Sequence, residues 1–374
     1  MKIGLVRRGY SPTGGAEKYL LRLATELASA SHEVVLFSDA SWPEDAFASG
    51  GDRVAQVLVP ARGPISFARK LQGSISLHRC DVLLSLERVF ACDIYRAGDG
   101  VHAAWLDRRA RFEPGWKRWF RWASRKHARL LRLERALFTG GARRVIANSQ
   151  IVKREIVEHY GYPEERIDVV YNGVPAAAAD LSARSEGRAE LGLKPDDYVA
   201  LFAGSGWERK GLRFGCDAAG QVPGLRLLIA GKGKLSFKPK VASRTGDHPH
   251  DPSPHRFLGP RSDVPRLMAA ADVFILPTIY DPFSNACLEA LAAGLPVITT
   301  SANGFAEIMT PGIHGTVVDD PSDGSALVSA LLEWKDVNRR ESTRFARVAR
   351  AAEFPMECNL AETLKVISRL KETP

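Results

Sequence analysis

Three short segments of this chain carry residue types suited to a phosphorylated substrate. The run Gly204-Ser205-Gly206-Trp207-Glu208-Arg209-Lys210-Gly211 follows an apolar stretch, 199–203, that reads as a strand. Glycines at a strand exit let backbone approach a ligand closely. Arg209 and Lys210 at that exit can neutralise a diphosphate, the arginine as a planar fork and the lysine as a point charge; a solvated basic turn is the plainer alternative. Near the N-terminus, Gly14-Gly15 stand between a first strand, 3–6, and a helix expected over 19–30. Free amides and the dipole at a helix start attract phosphate, although a Gly-Gly pair also makes a simple turn. The third segment is Asp281-Pro282-Phe283-Ser284-Asn285-Ala286-Cys287-Leu288-Glu289. The spacing predicts a helix over 286–293 whose first turn offers amides near Ser284 and Asn285, with two carboxylates eight positions apart bracketing its start.

These segments need strand ends to hold them. Short β-branched runs at 3–6, 34–38, 54–60, 82–86, 145–149 and 167–171 alternate with helical segments, and after an alanine-rich stretch, 175–187, the alternation resumes at 199–203, 225–230, 273–277 and 297–300. Strand-helix-strand repeats of this kind imply parallel sheets covered on both faces. The expectation is an α/β chain of two doubly wound, Rossmann-like domains, 1–175 and 176–374, with a terminal helix at about 355–370 packing on either one. Open sheets bind ligands beyond the carboxyl ends of their strands, so two such domains are expected to share one cleft.

A length of 374 residues fits two domains, and 45% hydrophobic with 25% charged residues excludes a disordered or fibrous chain. Cys80, Cys92, Cys216, Cys287 and Cys358 are odd in number and lack C-x-x-C spacing, which favours reduced thiols over disulfides or zinc. No run has the length and hydropathy of a bilayer span or a signal segment, so a cytoplasmic address is the default expectation. The net charge of +9 is concentrated: residues 105–135 hold eleven Lys/Arg against three acids, +8, leaving +1 for the rest. At about 100° per residue, Trp116, Trp119, Phe120, Ala123, Leu130 and Leu131 share one helical face and Arg118, Arg121, Arg125, Arg129 and Arg132 the other, with Trp105 and Trp122 in the same stretch. Such a segment suits the headgroup plane of an anionic leaflet. A solvated face packed on its own domain is the alternative, and no nucleic-acid-binding motif accompanies the patch.

Taken in order, Gly14-Gly15, Arg209-Lys210 and the carboxylate pair leading into Gly294-Leu295-Pro296-Val297 resemble the family 4 retaining glycosyltransferases of the GT-B fold. Tyr171-Asn172-Gly173-Val174, Gly231-Lys232-Gly233, Leu258-Gly259, Ser262-Asp263-Val264 and Ala271-Asp272 extend the likeness over nearly the whole chain. The resemblance implies a nucleotide sugar held mainly by the second domain. Arg209 and Lys210 beside Gly204 would hold the diphosphate, with Gly15 closing on it; Glu289 would hold the ribose, and Asp281 with Phe283, Ser284 and Asn285 the transferred sugar. The family usually has Glu where this chain has Asp281, which leaves donor choice more open than donor class. It also implies a polar residue touching sugar or acceptor in the first domain, for which Asp99 and His102, after a strand-like 92–95, are the candidates; a turn role for Asp99 is the alternative.

Within the family, the segment 134–138, the run 204–211 and the Trp/Arg-rich stretch resemble the lipopolysaccharide core glucosyltransferases. That likeness implies UDP-glucose as donor, an inner-core heptose on a membrane-anchored lipid as acceptor, retention of configuration, and a peripheral position on the inner face of the cell membrane, with Trp116, Arg118, Trp119, Arg121, Trp122, Arg125 and Arg129 against the leaflet. An exopolysaccharide or other glycolipid acceptor, and a non-catalytic lipid- or nucleic-acid-binding protein, are the alternatives. No cofactor and no essential metal are expected, because two basic groups can replace one. Asp247, His248, His250, Asp251 and His255 form a possible zinc cluster, but their proline-rich setting favours a loop.

Overall fold

A computed structural model gives the structure of the protein and describes residues 1–11, 15–43, 53–115, 124–175, 182–234 and 254–372. The chain divides into two units, Met1–Tyr171 with Glu357–Pro374, and Asn172–Met356.

The first unit is built on β1 (Lys2–Val6), β2 (Glu33–Ser38), β3 (Val54–Leu58), β4 (Val82–Ser85), β5 (Cys92–Arg96), β6 (Ala142–Ala147) and β7 (Ile167–Val169). They form one parallel sheet in the order β3-β2-β1-β4-β5-β6-β7. The second unit holds β8 (Tyr198–Ala203), β9 (Leu225–Ala230), β10 (His255–Gly259), β11 (Val273–Leu276), β12 (Val297–Thr300) and β13 (Gly315–Val318), also all parallel, in the order β10-β9-β8-β11-β12-β13. These are the two doubly wound sheets of the GT-B architecture. Central strands are apolar without alternation, as β8 and β11 show by being buried at every position, because helices cover both faces of a parallel sheet.

In each sheet the chain winds outward one way and then reverses, between β1 and β4 in the first and between β8 and β11 in the second. The helices after those strands leave in opposite directions, which opens a crevice at their carboxyl ends. Every segment singled out for chemistry in the second unit leaves β8 or β11.

Several expectations are corrected. The alanine-rich stretch 175–187, after which the alternation of strands and helices was expected to resume, already holds the start of a helix: Ser182–Glu190 packs on the helix Val264–Ala270. Arg188, 4% exposed, anchors it by bonding Ala270 O, Lys194 O, Pro195 O and the Asp272 carboxylate. The units therefore divide at Tyr171 rather than at 175. The terminal helix, Met356–Glu372, belongs with the first unit, where Thr363 Oγ1 lies 3.1 Å from the Tyr19 hydroxyl and Asn359 Nδ2 donates to Tyr171 O. Its break at Pro355 is a parallel bridge: Val174 N–H donates to Phe354 O, and Met356 N–H to Val174 O.

The amphipathic segment lies partly outside the described residues, which omit 116–123. Ser124 is extended, at φ −74 and ψ 109, and a separate helix, Arg125–Ala136, starts after it. The single helical face that joined Trp116 to Leu131 is therefore broken at Ser124. No described helix is long and apolar enough to cross a membrane.

Candidate active site

Two glycines shape the β8 exit. Gly211 has φ +71, and a Cβ there would stand 1.8 Å from Pro277 O; Gly231 has φ +124, and a Cβ would meet Gly204 O at 2.1 Å. Only glycine lets the exits of β8, β9 and β11 approach this closely. The Gly206 N–H then reaches Lys232 O at 2.9 Å, and Gly204 N–H reaches Ala230 O at 3.0 Å.

Across the reversal point the two basic residues are held by the segment after β11. The Arg209 carbonyl accepts from Thr278 Oγ1 at 2.8 Å and from Ile279 N–H at 2.9 Å, while Arg209 Nε donates to Tyr280 O at 3.0 Å and the guanidinium sits 5.2 Å from the Tyr280 ring centre. Lys210 Nζ pairs with Asp281 Oδ2. Asp281 is 5% exposed, and its backbone is tied to the β12 exit, its N–H to Ala302 O and its carbonyl to Gly304 N–H.

Asn303, which the sequence reading missed, organises the rest. Its Oδ1 accepts from Ser284 N–H at 3.2 Å and Phe305 N–H at 3.1 Å, and its Nδ2 donates to Thr299 Oγ1 at 3.0 Å. Its bond to Phe305 N–H is a local N-cap, a weak signal before Gly304, whereas its bond to Ser284 N–H joins segments distant in the chain. Ser284 caps the helix Asn285–Ala292, and Asn172 Nδ2 donates to Asn285 Oδ1 at 2.7 Å. Phe283 packs edge-on against Phe305. Glu289 is exposed on the same helix. A helix start, two cations and a buried carboxylate thus stand on one side of the second sheet's crevice, a set able to hold an anion next to a polyhydroxy group.

Burial pushes the Cys287 and Cys216 thiols up to about 12. A thiol raised from its ordinary value of 9 favours the folded state while protonated, so this contribution is complete below about pH 9 and is lost as pH climbs through about 12. We expect iodoacetamide at neutral pH to label exposed Cys358 on the native protein while Cys92, Cys216 and Cys287, all buried, stay protected. Peptide mapping checks this, and rapid native labelling of Cys287 would contradict it.

In the first unit, Gly14 lies outside the described residues, and Gly15 opens the helix Gly15–Ser29. Next to it a charged cluster lies at the exits of β1, β4 and β5. Arg7 meets Glu17 at 3.0 Å, Glu87 at 4.0 Å and Asp99 at 3.8 Å; Arg88 meets Asp99 at 3.9 Å and Glu134 at 3.1 Å. Burial raises the Glu87 carboxyl above its ordinary value, against the pull of Arg7. Asp99 is half-exposed, and His102 is the first residue of the helix His102–Ala110, its Nε2 3.0 Å from His127 Nδ1.

Glu134 is the organiser here. Fully buried, it accepts from Arg88 Nε, His102 N–H at 2.7 Å, Ala103 N–H at 3.1 Å and Tyr160 OH at 2.7 Å. It caps a helix distant in sequence, and the signal for it was visible: it is the one acid in the otherwise basic helix Arg125–Ala136. Of the possible zinc residues only His255 is described, and its Nε2 lies 2.9 Å from Cys216 O; the other four fall outside the described residues.

Residues 13–178 match the family described as Glycosyltransferase Family 4, and residues 197–335 match Glycosyl transferases group 1. The chain carries glycosyltransferase domains of these two types. It is similar to the lipopolysaccharide glucosyltransferase WaaG of Escherichia coli, 26% identical over 340 residues that cover 86% of each chain. A D-inositol 3-phosphate glycosyltransferase of Mycolicibacterium smegmatis is 27% identical over 394 residues, covering 97% of this glycosyltransferase and 87% of the relative. In fold it matches the crystal structure of WaaG with a TM-score of 0.80 at 21% identity, covering 98% of this chain and 99% of that one. The Anabaena protein HepE in complex with UDP-glucose matches with a TM-score of 0.71 at 20% identity, over 98% and 99% of the two chains.

Proposed function

We propose that this glycosyltransferase moves a hexose, glucose first, from a UDP-sugar to a membrane-anchored glycolipid, with an inner-core heptose of lipopolysaccharide as the leading acceptor and with retention of anomeric configuration. The observation that carries the donor half is the meeting of Arg209, Lys210 and Asp281 where β8 and β11 end. In this reading Arg209 and Lys210, beside Gly204, take up the charge that grows on the departing diphosphate, the step at which fixed positive groups lower a barrier most. Asp281, with the backbone of Phe283, Ser284 and Asn285, binds the hydroxyls of the transferred sugar and favours its cationic transition state. Glu289 binds the ribose. Two side-chain cations make a divalent metal unnecessary, so turnover is expected to survive EDTA.

The acceptor half rests on the similarity to WaaG and on the basic excess of residues 105–135. Asp99 and His102 are assigned to the acceptor, and the basic segment, including Arg125 and Arg129, to the inner face of the cell membrane. The similarity to a D-inositol 3-phosphate glycosyltransferase over 97% of this chain favours a second reading, in which the acceptor is a soluble phosphorylated polyol.

Thermal shifts with UDP, UDP-glucose, UDP-galactose, UDP-N-acetylglucosamine and GDP-mannose test the donor. A ligand at 100 times its dissociation constant stabilises by about 2.7 kcal/mol. We expect the largest shift with UDP-glucose and its loss in Glu289→Ala. A response to GDP-mannose alone discards the UDP assignment, and none at all favours a binding protein. Product analysis on heptose and inositol phosphate acceptors separates the two readings. Unchanged activity on a lipid acceptor after replacing Arg118, Arg121, Arg125 and Arg129 with Glu would sink the membrane part.

A further inference from the structure

In the second unit the apolar runs of β11 and β12 end in polar residues: Thr278 just beyond β11, Thr299 and Thr300 at the end of β12, and Asn303 after it. Polar residues at strand exits ordinarily meet solvent, yet all four are 0% exposed. Each is fully used within the fold. Thr278 Oγ1 donates to Arg209 O at 2.8 Å and accepts from Tyr280 N–H at 3.2 Å. Thr299 Oγ1 donates to Leu276 O at 2.9 Å, and Thr300 Oγ1 donates to Thr278 O at 2.7 Å. Asn303 Oδ1 accepts from two backbone amides, those of Ser284 and Phe305, while its Nδ2 donates to Thr299 Oγ1 at 3.0 Å and to Cys287 Sγ at 3.5 Å.

Buried hydroxyls and amides add little net stability even when every bond is made. A fully satisfied network adds rigidity and a single arrangement instead. What this one holds rigid is the turn Asp281–Ser284. At its first end, Asp281 N–H donates to Ala302 O at 3.0 Å and Gly304 N–H donates to Asp281 O at 2.9 Å, which makes a parallel bridge between Asp281 and Asn303. At its other end, the Asn303 side chain accepts from Ser284 N–H at 3.2 Å. The threonines carry the same network on to the Arg209 backbone. The Asp281 carboxylate, the start of the helix Asn285–Ala292 and Arg209 are therefore set relative to one another by side chains that no ligand can reach.

Two hexoses that differ at one carbon have the same size and charge. Telling them apart requires hydrogen-bonding groups held to a fraction of an ångström by the shell behind them. We propose that Asn303 is a positioning residue for donor choice: by clamping both ends of the turn Asp281–Ser284 to the β12 exit, it makes the site prefer glucose to galactose. This role rests on the assignment of that turn to the transferred sugar, and it places selectivity in a side chain that the sugar does not touch.

Calorimetric titration of the full chain with UDP, UDP-glucose and UDP-galactose measures the ratio of the two sugar-nucleotide affinities, with UDP as the reference. In Asn303→Ala the ratio is expected to fall by about tenfold while the affinity for UDP stays within about twofold, because a misplacement of about 1 Å is felt only by the groups that the turn carries. Asn303→Asp keeps the acceptor of both amides and is expected to restore most of the ratio. Thr299→Val removes an acceptor of Asn303 Nδ2 but keeps a β-branched side chain in the strand; it should lower the ratio in the same direction, and it decides the question if the alanine variant does not fold. An unchanged ratio in the folded variants, or a parallel loss of affinity for UDP and both sugar nucleotides, overturns the role. Equal binding of the two sugar nucleotides by wild type overturns it as well. Asp281→Asn separates the two assignments: a ratio kept in Asp281→Asn means that the turn does not hold the sugar and both fall, whereas a ratio lost there but kept in Asn303→Ala removes the role of Asn303 alone.

Discussion

Replacing Lys210 with alanine is expected to lower the turnover of UDP-sugar by about 10²- to 10³-fold, the usual effect of losing one fixed group that stabilises developing negative charge. Folding also suffers, because Asp281 is 5% exposed and loses the cation it is paired with. Breaking a buried ion pair by removing one partner costs about 3–5 kcal/mol. The double variant Lys210→Met/Asp281→Leu should recover most of the stability and none of the turnover. This separates the folding cost of the broken pair from the loss of activity, since Asp281 is itself assigned to the transferred sugar. Lys210→Arg should restore the charge without restoring full activity, since a planar fork does not replace a compact ammonium at this position. Steady-state kinetics of transfer or hydrolysis, with denaturant unfolding of the same variants, give the answer. Turnover of Lys210→Ala within tenfold of wild type would remove Lys210 from the chemistry.

Glu134→Ala should be the most destabilising single change in the first unit, at about 3–5 kcal/mol. The Arg88 guanidinium, 8% exposed, loses its closest carboxylate, the His102 and Ala103 amides at a helix start lose their acceptor, and the Tyr160 hydroxyl loses its partner. Each orphaned buried donor keeps its full desolvation penalty. Glu134→Gln should cost less but not be silent, because a carboxamide offers one acceptor oxygen to a site built entirely of donors. The two units give separate unfolding transitions if they act independently, and UDP is expected to raise only that of the second. The effect of Glu134→Ala should fall on the other one. A loss below about 1 kcal/mol would mean that water replaces the carboxylate and that Glu134 does not organise the loop carrying Asp99 and His102.

What was legible in the chain was what local chemistry and short periods encode. The inner strands β1, β2, β4, β8, β9, β11 and β12 stood out as apolar runs because a covered parallel sheet has no polar face. The edge strands β10 and β13 did not: β10 is fully buried only at His255 and carries Arg256, and β13 is four residues long. The helix Ser182–Glu190 was lost among alanines and charges because its fixed point is Arg188, a buried charge held by three backbone carbonyls and the distant Asp272 carboxylate, which no local pattern reveals. Periodicity alone ran the basic amphipathic pattern across Ser124, where the backbone is extended.

The sequence by itself determined the resemblance to glycosyltransferases, the two parallel sheets and the composition of the candidate site, since glycines at strand exits, an Arg-Lys pair and two carboxylates around a helix start are local arrangements with local physical causes. The tertiary structure alone decided the pairings. Lys210 meets Asp281 across 71 positions because β8 and β11 are neighbours at the reversal of the second sheet, and Glu134 caps the helix at His102 because the helix Arg125–Ala136 packs against it. It also placed the terminal helix with the first unit. A periodicity records which face of an element is apolar, whereas a partner is chosen by the order in which strands assemble, and that order is a property of the whole sheet.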